Sequence, residues 1–357
     1  MARAAFIMDR LMHKIGLHGK SFIPLIMGFG CNVPAIMATR TLQSRNERLL
    51  TMLINPFMSC SARLPVYILI IAAFFPGQEV TILFLVYLIG IIAAVGFAVL
   101  FKKTLFRGAD APFVMELPPY RLPTMKSTLR HMWMKGSQYL RKMGGVILIA
   151  SLIIWALGYF PRNNPLRDSL DREIVETEVY YNHLIASSGP EKSERLNHAK
   201  DSVLTGLYQE KSRILQENSF IGMLGRAIEP VIRPLGFDWR MGVSLLAGVS
   251  AKEVVISTMS VLYSDGEPAG SRKETLTSRL RNAKFDNGEK SGYKIFNKAS
   301  AFAFLMFILL YFPCVAVIAA VRRESGSWKW ALFLVVYTTL TAWIVAFAAY
   351  HIGLFFI

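Results

Sequence analysis

Cys31, Cys60 and Cys314 are the residues of this sequence with the clearest chemistry. Each stands within two residues of a helix breaker or a polar cluster. Cys31 follows Gly28-Phe29-Gly30 and precedes Asn32 and Pro34. Cys60 lies between Ser59 and Ser61, after Pro56 and Met58, and Cys314 follows Pro313. Glycine permits close backbone approach and proline breaks the local hydrogen-bond ladder, so carbonyls come free at such points. Freed carbonyls, a thiol and the Asn32 amide make a cation site without a net acid. Thiolate sulfur suits Fe(II), Cu(I) or Zn. A single buried cysteine more often packs like a small apolar residue. Recurrence at three breaks favours a cysteine-lined path instead, with one or two thiols per station so that an ion can also leave.

A second constellation is Lys252-Glu253 inside an apolar segment. Buried charges need partners. Adjacent residues point about 100° apart on a helix, so the two do not face each other. Glu253 is a candidate hard ligand or proton carrier, and Lys252 a candidate donor to freed carbonyls. The alternative is a structural ion pair with another segment, such as one carrying Arg63.

Other chemistries lack their residues. No two of the six histidines stand at i, i+4, which speaks against a zinc-protease type centre. Gly16-Leu17-His18-Gly19-Lys20-Ser21 ends like a phosphate-binding loop, but the position five before Gly19 is Lys14 rather than glycine. Neither G-x-S-x-G nor H-E-x-x-H occurs, so an enzyme reading has little support.

The elements that must position these residues are membrane helices. Of 357 residues, 53% are hydrophobic and 18% charged. The mean hydropathy is +0.39. Soluble domains carry about a quarter charged residues. Apolar blocks of about 20 residues match the thickness of a bilayer. The net charge of +16 would suggest nucleic acid in a soluble protein. Here the bases lie between apolar blocks: Lys102 to Lys142 holds nine Lys or Arg against Asp110 and Glu116, the pattern of a cytoplasmic loop. Nucleic acid is therefore not an expected partner, whereas a lipid bilayer is. An odd number of cysteines argues against a disulfide framework. The amino terminus lacks the core and cleavage site of a secretory signal.

The expected fold is all-α: a polytopic helical membrane protein with two inverted gate repeats of broken or re-entrant helices. The divisions read as a partial first gate module over 1–47; transmembrane helices over 48–160, with a cytoplasmic amphipathic stretch at 112–142; and a polar external region over 161–219. A second gate module over 220–263, a polar loop over 264–298 and C-terminal transmembrane helices over 299–357 follow. The repeat rests on two likenesses. GFGCNVPAIMATRTL (Gly28 to Leu42) shares its layout with AGVSAKEVVISTMSVL (Ala247 to Leu262). NPFMSCSARLP (Asn55 to Pro65) answers YFPCVAVIAAVRRE (Tyr311 to Glu324). Three crossings lie between the copies, and an odd number inverts the second, as in transporters. The loop charges put Arg40, Arg45, Arg48, Arg322, Arg323 and Lys329 inside. This works if the segment from Met241 to Tyr263 dips in and returns rather than crossing.

The strings GFGCNVPAIMATR, ERLLTMLINPFMSCSARLPVY, APFVMELPPYRLP, AKEVV and FPCVAVIAAVRRE together resemble the membrane domain of the FeoB family of ferrous iron transporters, in order from about Arg3 to Trp343. The resemblance implies two gate modules and a cysteine-lined route for Fe2+ as substrate. Carried over, Cys31 sits in the first gate, Cys60 in the helix after it, Cys314 in the second gate, and Glu253 matches that gate's acid. Gly28, Gly30, Pro34, Lys252 and Pro313 fall in the same modules. FeoB proteins begin with a GTP-binding G domain, a helical spacer and further helices that these residues do not include. GTP and Mg2+ therefore belong to that part, and this chain is expected to bind no cofactor and to be no enzyme. Implied partners are the G domain and N-terminal helices, on the same or a separate chain, a small accessory protein, and a second copy of the chain. The implied location is the bacterial cytoplasmic (inner) membrane, multi-pass. Two other readings stay open: a permease for an organic solute such as a nucleoside, and a non-transporting membrane scaffold.

Overall fold

A computed structural model describes residues 2–106, 124–161, 165–187, 190–263, 276–283 and 294–355. The string APFVMELPPYRLP and most of the 264–298 loop lie outside the described residues. Among the described residues the fold is all-helical, with no strand.

The chain opens with α1 (Ala2–Lys14), and Gly19–Ser21 forms one 3-10 turn leading into α2 (Phe22–Gly30) and α3 (Asn32–Ala38). The next helix is broken: α4 (Arg45–Ile54) and α5 (Leu64–Phe74) are separated by two 3-10 turns. Then come α6 (Glu79–Thr104) and α7 (Met125–Tyr159), followed by a polar pair, α8 (Pro165–Ala186) and α9 (Pro190–Glu217). The second half holds α10 (Phe220–Ile232), α11 (Trp239–Ala247), α12 (Val254–Leu262) and α13 (Leu276–Asn282). A second broken helix, α14 (Lys298–Leu310) and α15 (Val315–Ser325), precedes α16 (Trp328–Phe355).

Four helical stretches among the described residues are long and apolar enough to cross a membrane: Arg45–Phe74, Glu79–Thr104, Lys298–Ser325 and Trp328–Phe355. Nearly every side chain of α14 is buried, because the helix is enclosed by α5, α6 and α16. A capping box starts it. The Asn297 carboxamide accepts from Ser300 N at 2.7 Å, and Ser300 Oγ accepts from Asn297 N at 2.9 Å. This reciprocal pair satisfies two backbone donors that a helix start leaves open.

One end of the bundle carries Arg40, Arg48, Arg322 and Arg323 and is basic. At the basic end, Arg40 Nε donates to Glu324 at 2.6 Å. The turn that follows α3 and the end of α15 are thereby joined. At the opposite end, Phe296 stacks on Phe74 and meets Tyr263 edge-on. Arg281 donates to the Ala72 and Ala73 carbonyls that α5 leaves open. There the Asp238 carboxylate caps α11 through Met241 N at 3.0 Å and accepts from Tyr263 Oη at 2.6 Å. Residues 238 and 263 therefore lie at the same level. The α11–α12 hairpin dips in and returns instead of crossing. The α2–α3 hairpin does the same from the basic end: it begins at Ser21, hydrogen-bonded to Thr51 of α4, and finishes beside Arg40.

One expectation needs restating. The amphipathic stretch of 112–142 and the apolar segment from Gly144 are, from Met125 onward, a single 35-residue helix. Gly144 and Gly145 lower helix propensity, but a glycine in a helix costs only about 1 kcal/mol and does not end it.

Candidate functional site

Pro34 explains the first break. In a continuous helix its ring would strike the carbonyl four residues back, that of Gly30. The chain instead turns extended at Cys31 (φ −151°, ψ 127°), which ends α2 and begins α3. The Gly30 carbonyl is freed and accepts from Ser61 Oγ at 2.9 Å. Pro24 and Pro34 each occupy the third residue of their short helices, where a missing N–H breaks no helical bond.

Pro313 acts alike in the second broken helix. In an unbroken helix Val315 N would bond to Tyr311 O; it bonds instead to Val249 O, in the turn between α11 and α12, at 2.9 Å. Tyr311 O and Phe312 O are left for side chains. Arg63 Nη2 takes the first at 3.4 Å and Lys252 Nζ takes the second at 2.9 Å. Arg63 also donates to Pro56 O, in the break between α4 and α5, at 3.0 Å. The Lys252 ammonium lies 3.3 Å from the centre of the Tyr311 ring, in cation–π contact.

All four breaks thus meet at one crossing. Asn55 Nδ2 donates to Asn32 Oδ1 at 3.1 Å, which links the α4–α5 break to the α2–α3 hairpin. Two glycines make the approach close enough. A Cβ on Gly28 would lie 2.7 Å from Asn55 Oδ1, and one on Gly248 would lie 2.9 Å from Tyr311 Oη. The two halves of the repeat therefore use the same device: a glycine of the hairpin against a polar residue of the broken helix.

The thiols stand at this crossing. Cys31 is exposed, and Cys60 and Cys314 are half-buried. Cys60 and Cys314 each precede the second part of a broken helix. Both act electrostatically on Cys31, and Lys252 acts on Cys314. Even so, among the described residues no group of three or more His, Cys, Asp or Glu gathers closely enough to hold one ion. Arg63 and Lys252 are buried, and neither has an ion-pair partner among the described residues. Glu253 is exposed at the start of α12, one residue away from Lys252. Of the four buried side-chain polar atoms without a partner among the described residues, three are at the crossing: Asn55 Oδ1, Arg63 Nε and Tyr311 Oη.

Asn55, Ser61, Tyr311 and Gly248 were not singled out as site residues from the sequence, and Arg63 only as a neighbour in charge. Asn55 and Arg63 carried a signal, as polar residues beside proline in an apolar run. Tyr311 carried none, since its role depends on partners from distant segments.

Two family models match the chain. The gate model, described as nucleoside recognition, covers residues 1–74 and 140–328. The model described as ferrous iron transport protein B C terminus covers residues 83–135. A protein of Porphyromonas gingivalis named as an Fe(2+) transport protein A/Fe(2+) transporter FeoB fusion is 50% identical over the whole chain, which covers 40% of that relative. The Fe(2+) transporter FeoB of Campylobacter jejuni is 41% identical over 99% of the chain, and 49% of that protein is covered. That of Helicobacter pylori strain J99 is 38% identical over 98%, with 51% covered. The chain thus spans about half the length of the curated relatives it matches. No solved structure matches it.

Proposed function

Because the chain belongs to the gate family and to FeoB, as the membrane part of such a protein, we propose that it is the permease through which ferrous iron crosses the membrane. One observation carries this reading: four helix breaks converge, and three of them bring a thiol to the same crossing. An Fe2+ ion shedding water there meets sulfur together with carboxamide and carbonyl oxygen. Binding through one or two thiols at a time allows release, as transport requires and a four-ligand cage does not.

Cys31, Cys60 and Cys314 are the proposed stations, with Asn32 beside the first and Glu253 at the exposed approach to the second gate. Gly28, Gly30 and Pro34, with Lys252 and Pro313, shape the two gates. The hairpins open toward opposite ends of the bundle, which supports a pair of inverted gates with alternating access. In this reading the chain carries no cofactor and is no enzyme. GTP and Mg2+ act in a G domain that works on it together with further N-terminal helices. The name of the Porphyromonas gingivalis relative, a fusion with Fe(2+) transport protein A, supports a small accessory partner. Self-association and residence in the bacterial cytoplasmic membrane as a multi-pass protein complete the proposal.

The gate family's description names nucleoside recognition, but the relatives covering nearly the whole chain are named for Fe(2+). A nucleoside permease would tolerate serine at all three cysteines, and so would a scaffold. The test is uptake of radioactive iron by cells expressing the complete protein. Cys31→Ser, Cys60→Ser and Cys314→Ser should each reduce the initial rate severalfold at equal membrane abundance. Full uptake in all three would remove the thiol path.

A further inference from the structure

Of the two basic groups buried at the crossing, Arg63 and Lys252, the second is held the way an entering cation would be. Its ammonium holds a backbone carbonyl that Pro313 frees, lies on the face of Tyr311, and sits within electrostatic reach of Cys314 and Cys60. A metal ion entering the second gate would seek the same surroundings, namely the Phe312 carbonyl and the Cys314 sulfur. Arg63 differs in kind. Its guanidinium is clamped between two carbonyls, Pro56 O and Tyr311 O, on two broken helices. Its planar fork makes a fixed brace. Lys252 makes one carbonyl bond at the end of a flexible four-carbon stem, so it can leave while Arg63 keeps the helices together.

We propose that the Lys252 ammonium is a tethered stand-in for the transported ion, holding the Phe312 carbonyl beside Cys314 until a divalent cation displaces it. The inference rests on the cation-permease reading and deepens it by naming what the ion competes with. The exchange is a substitution of ligands. The Cys314 thiol gives up its proton to solvent, sulfur and the Phe312 carbonyl take the metal, and the ammonium swings off the carbonyl with its charge unchanged. No electron is transferred. An internal competitor sets a threshold: an ion that cannot also bind sulfur, such as Mg2+, does not repay the displacement of Lys252. The same competition weakens binding enough to let the ion go.

The test is Co2+ binding to the full chain in nanodiscs, followed by thiolate-to-cobalt absorption, with Mg2+ as the oxygen-seeking control. Lys252→Gln keeps a donor for Phe312 O and removes the charge. It should tighten Co2+ binding by about tenfold or more, since a unit positive charge beside the ion is lost. Cys314→Ser should abolish that gain. A second measurement uses the unaltered protein and so does not depend on the variant folding. Saturating Co2+ should raise acetylation of Lys252 severalfold, read by mass spectrometry, and leave exposed Lys329 unchanged. If Co2+ gives a thiolate band that Cys314→Ser removes, yet Lys252→Gln binds no tighter or Lys252 labelling does not change, the tether is wrong and the permease reading stands. If no band forms in any variant and the three cysteine substitutions leave iron uptake intact, the permease reading falls, and the tether with it.

Discussion

Gly28→Ala and Gly30→Ala make a controlled pair, two residues apart in one short helix. A Cβ on Gly28 would lie 2.7 Å from Asn55 Oδ1, 3.0 Å from Met58 Cβ and 3.2 Å from Asn32 Oδ1. A Cβ on Gly30 would meet nothing within 4 Å. The first substitution must push the α2–α3 hairpin away from the α4–α5 break. Overpacking of this kind costs about 1–3 kcal/mol, and parting Asn55 from Asn32 adds about 1 kcal/mol. Against this stands the better helix propensity of alanine, worth about 1 kcal/mol at an interior position and less at the last residue of α2. The net expectation is a loss of about 1–3 kcal/mol for Gly28→Ala and a change below about 1 kcal/mol for Gly30→Ala. Thermal unfolding in detergent, followed by size-exclusion recovery, reads the difference, and iron uptake should fall only in Gly28→Ala. Equal behaviour of the two variants would mean that the hairpin and the broken helix are not in the contact described, and the account of the crossing would fail.

Two further outcomes follow from named contacts. Arg63→Met strands two buried carbonyls, Pro56 O and Tyr311 O, each held by a charge-assisted bond worth about 1.5–3 kcal/mol; it should sharply lower the yield of folded protein, Arg63→Lys should lower it less, and a wild-type melting profile for Arg63→Met would refute the brace. At the basic end, the Glu324 side chain is buried while its partner Arg40 is about half exposed (48%), so a double-mutant cycle of Arg40→Gln with Glu324→Gln should give a coupling of about 0.2–1 kcal/mol that shrinks in high salt; zero coupling at low salt would show that the pair does not join the turn after α3 to α15.

The residues that interrupt helices were readable because their cause is local. Pro34 and Pro313 forbid a hydrogen bond wherever the chain goes, so the breaks at Cys31 and Cys314 appear in composition alone. α14 begins at Lys298, beside the point where a polar run gives way to an apolar one at Ala299. What could not be read is who answers a freed carbonyl. Tyr311 O is met by Arg63, 248 residues away, and Phe312 O by Lys252, 60 residues away. No periodicity encodes such pairs. The continuity of α7 was missed for a related reason: a change from basic to apolar composition looks like a boundary, yet helical hydrogen bonding is indifferent to it. The likeness between Gly28-to-Leu42 and Ala247-to-Leu262 was visible as layout, but the shared glycine contacts behind it emerge only when the segments are packed.

The α8–α9 pair leaves and rejoins the bundle at almost one point. Phe220 N bonds to Phe160 O at 2.9 Å, and Ser219 caps α10 immediately afterwards through Gly222 N. A polar hairpin whose two ends meet the bundle so close together offers a grafting point at its far end. A rigid two-helix fusion module, inserted at the tip between α8 and α9, would extend both helices while leaving the root untouched, and would give the small membrane bundle an asymmetric handle for imaging.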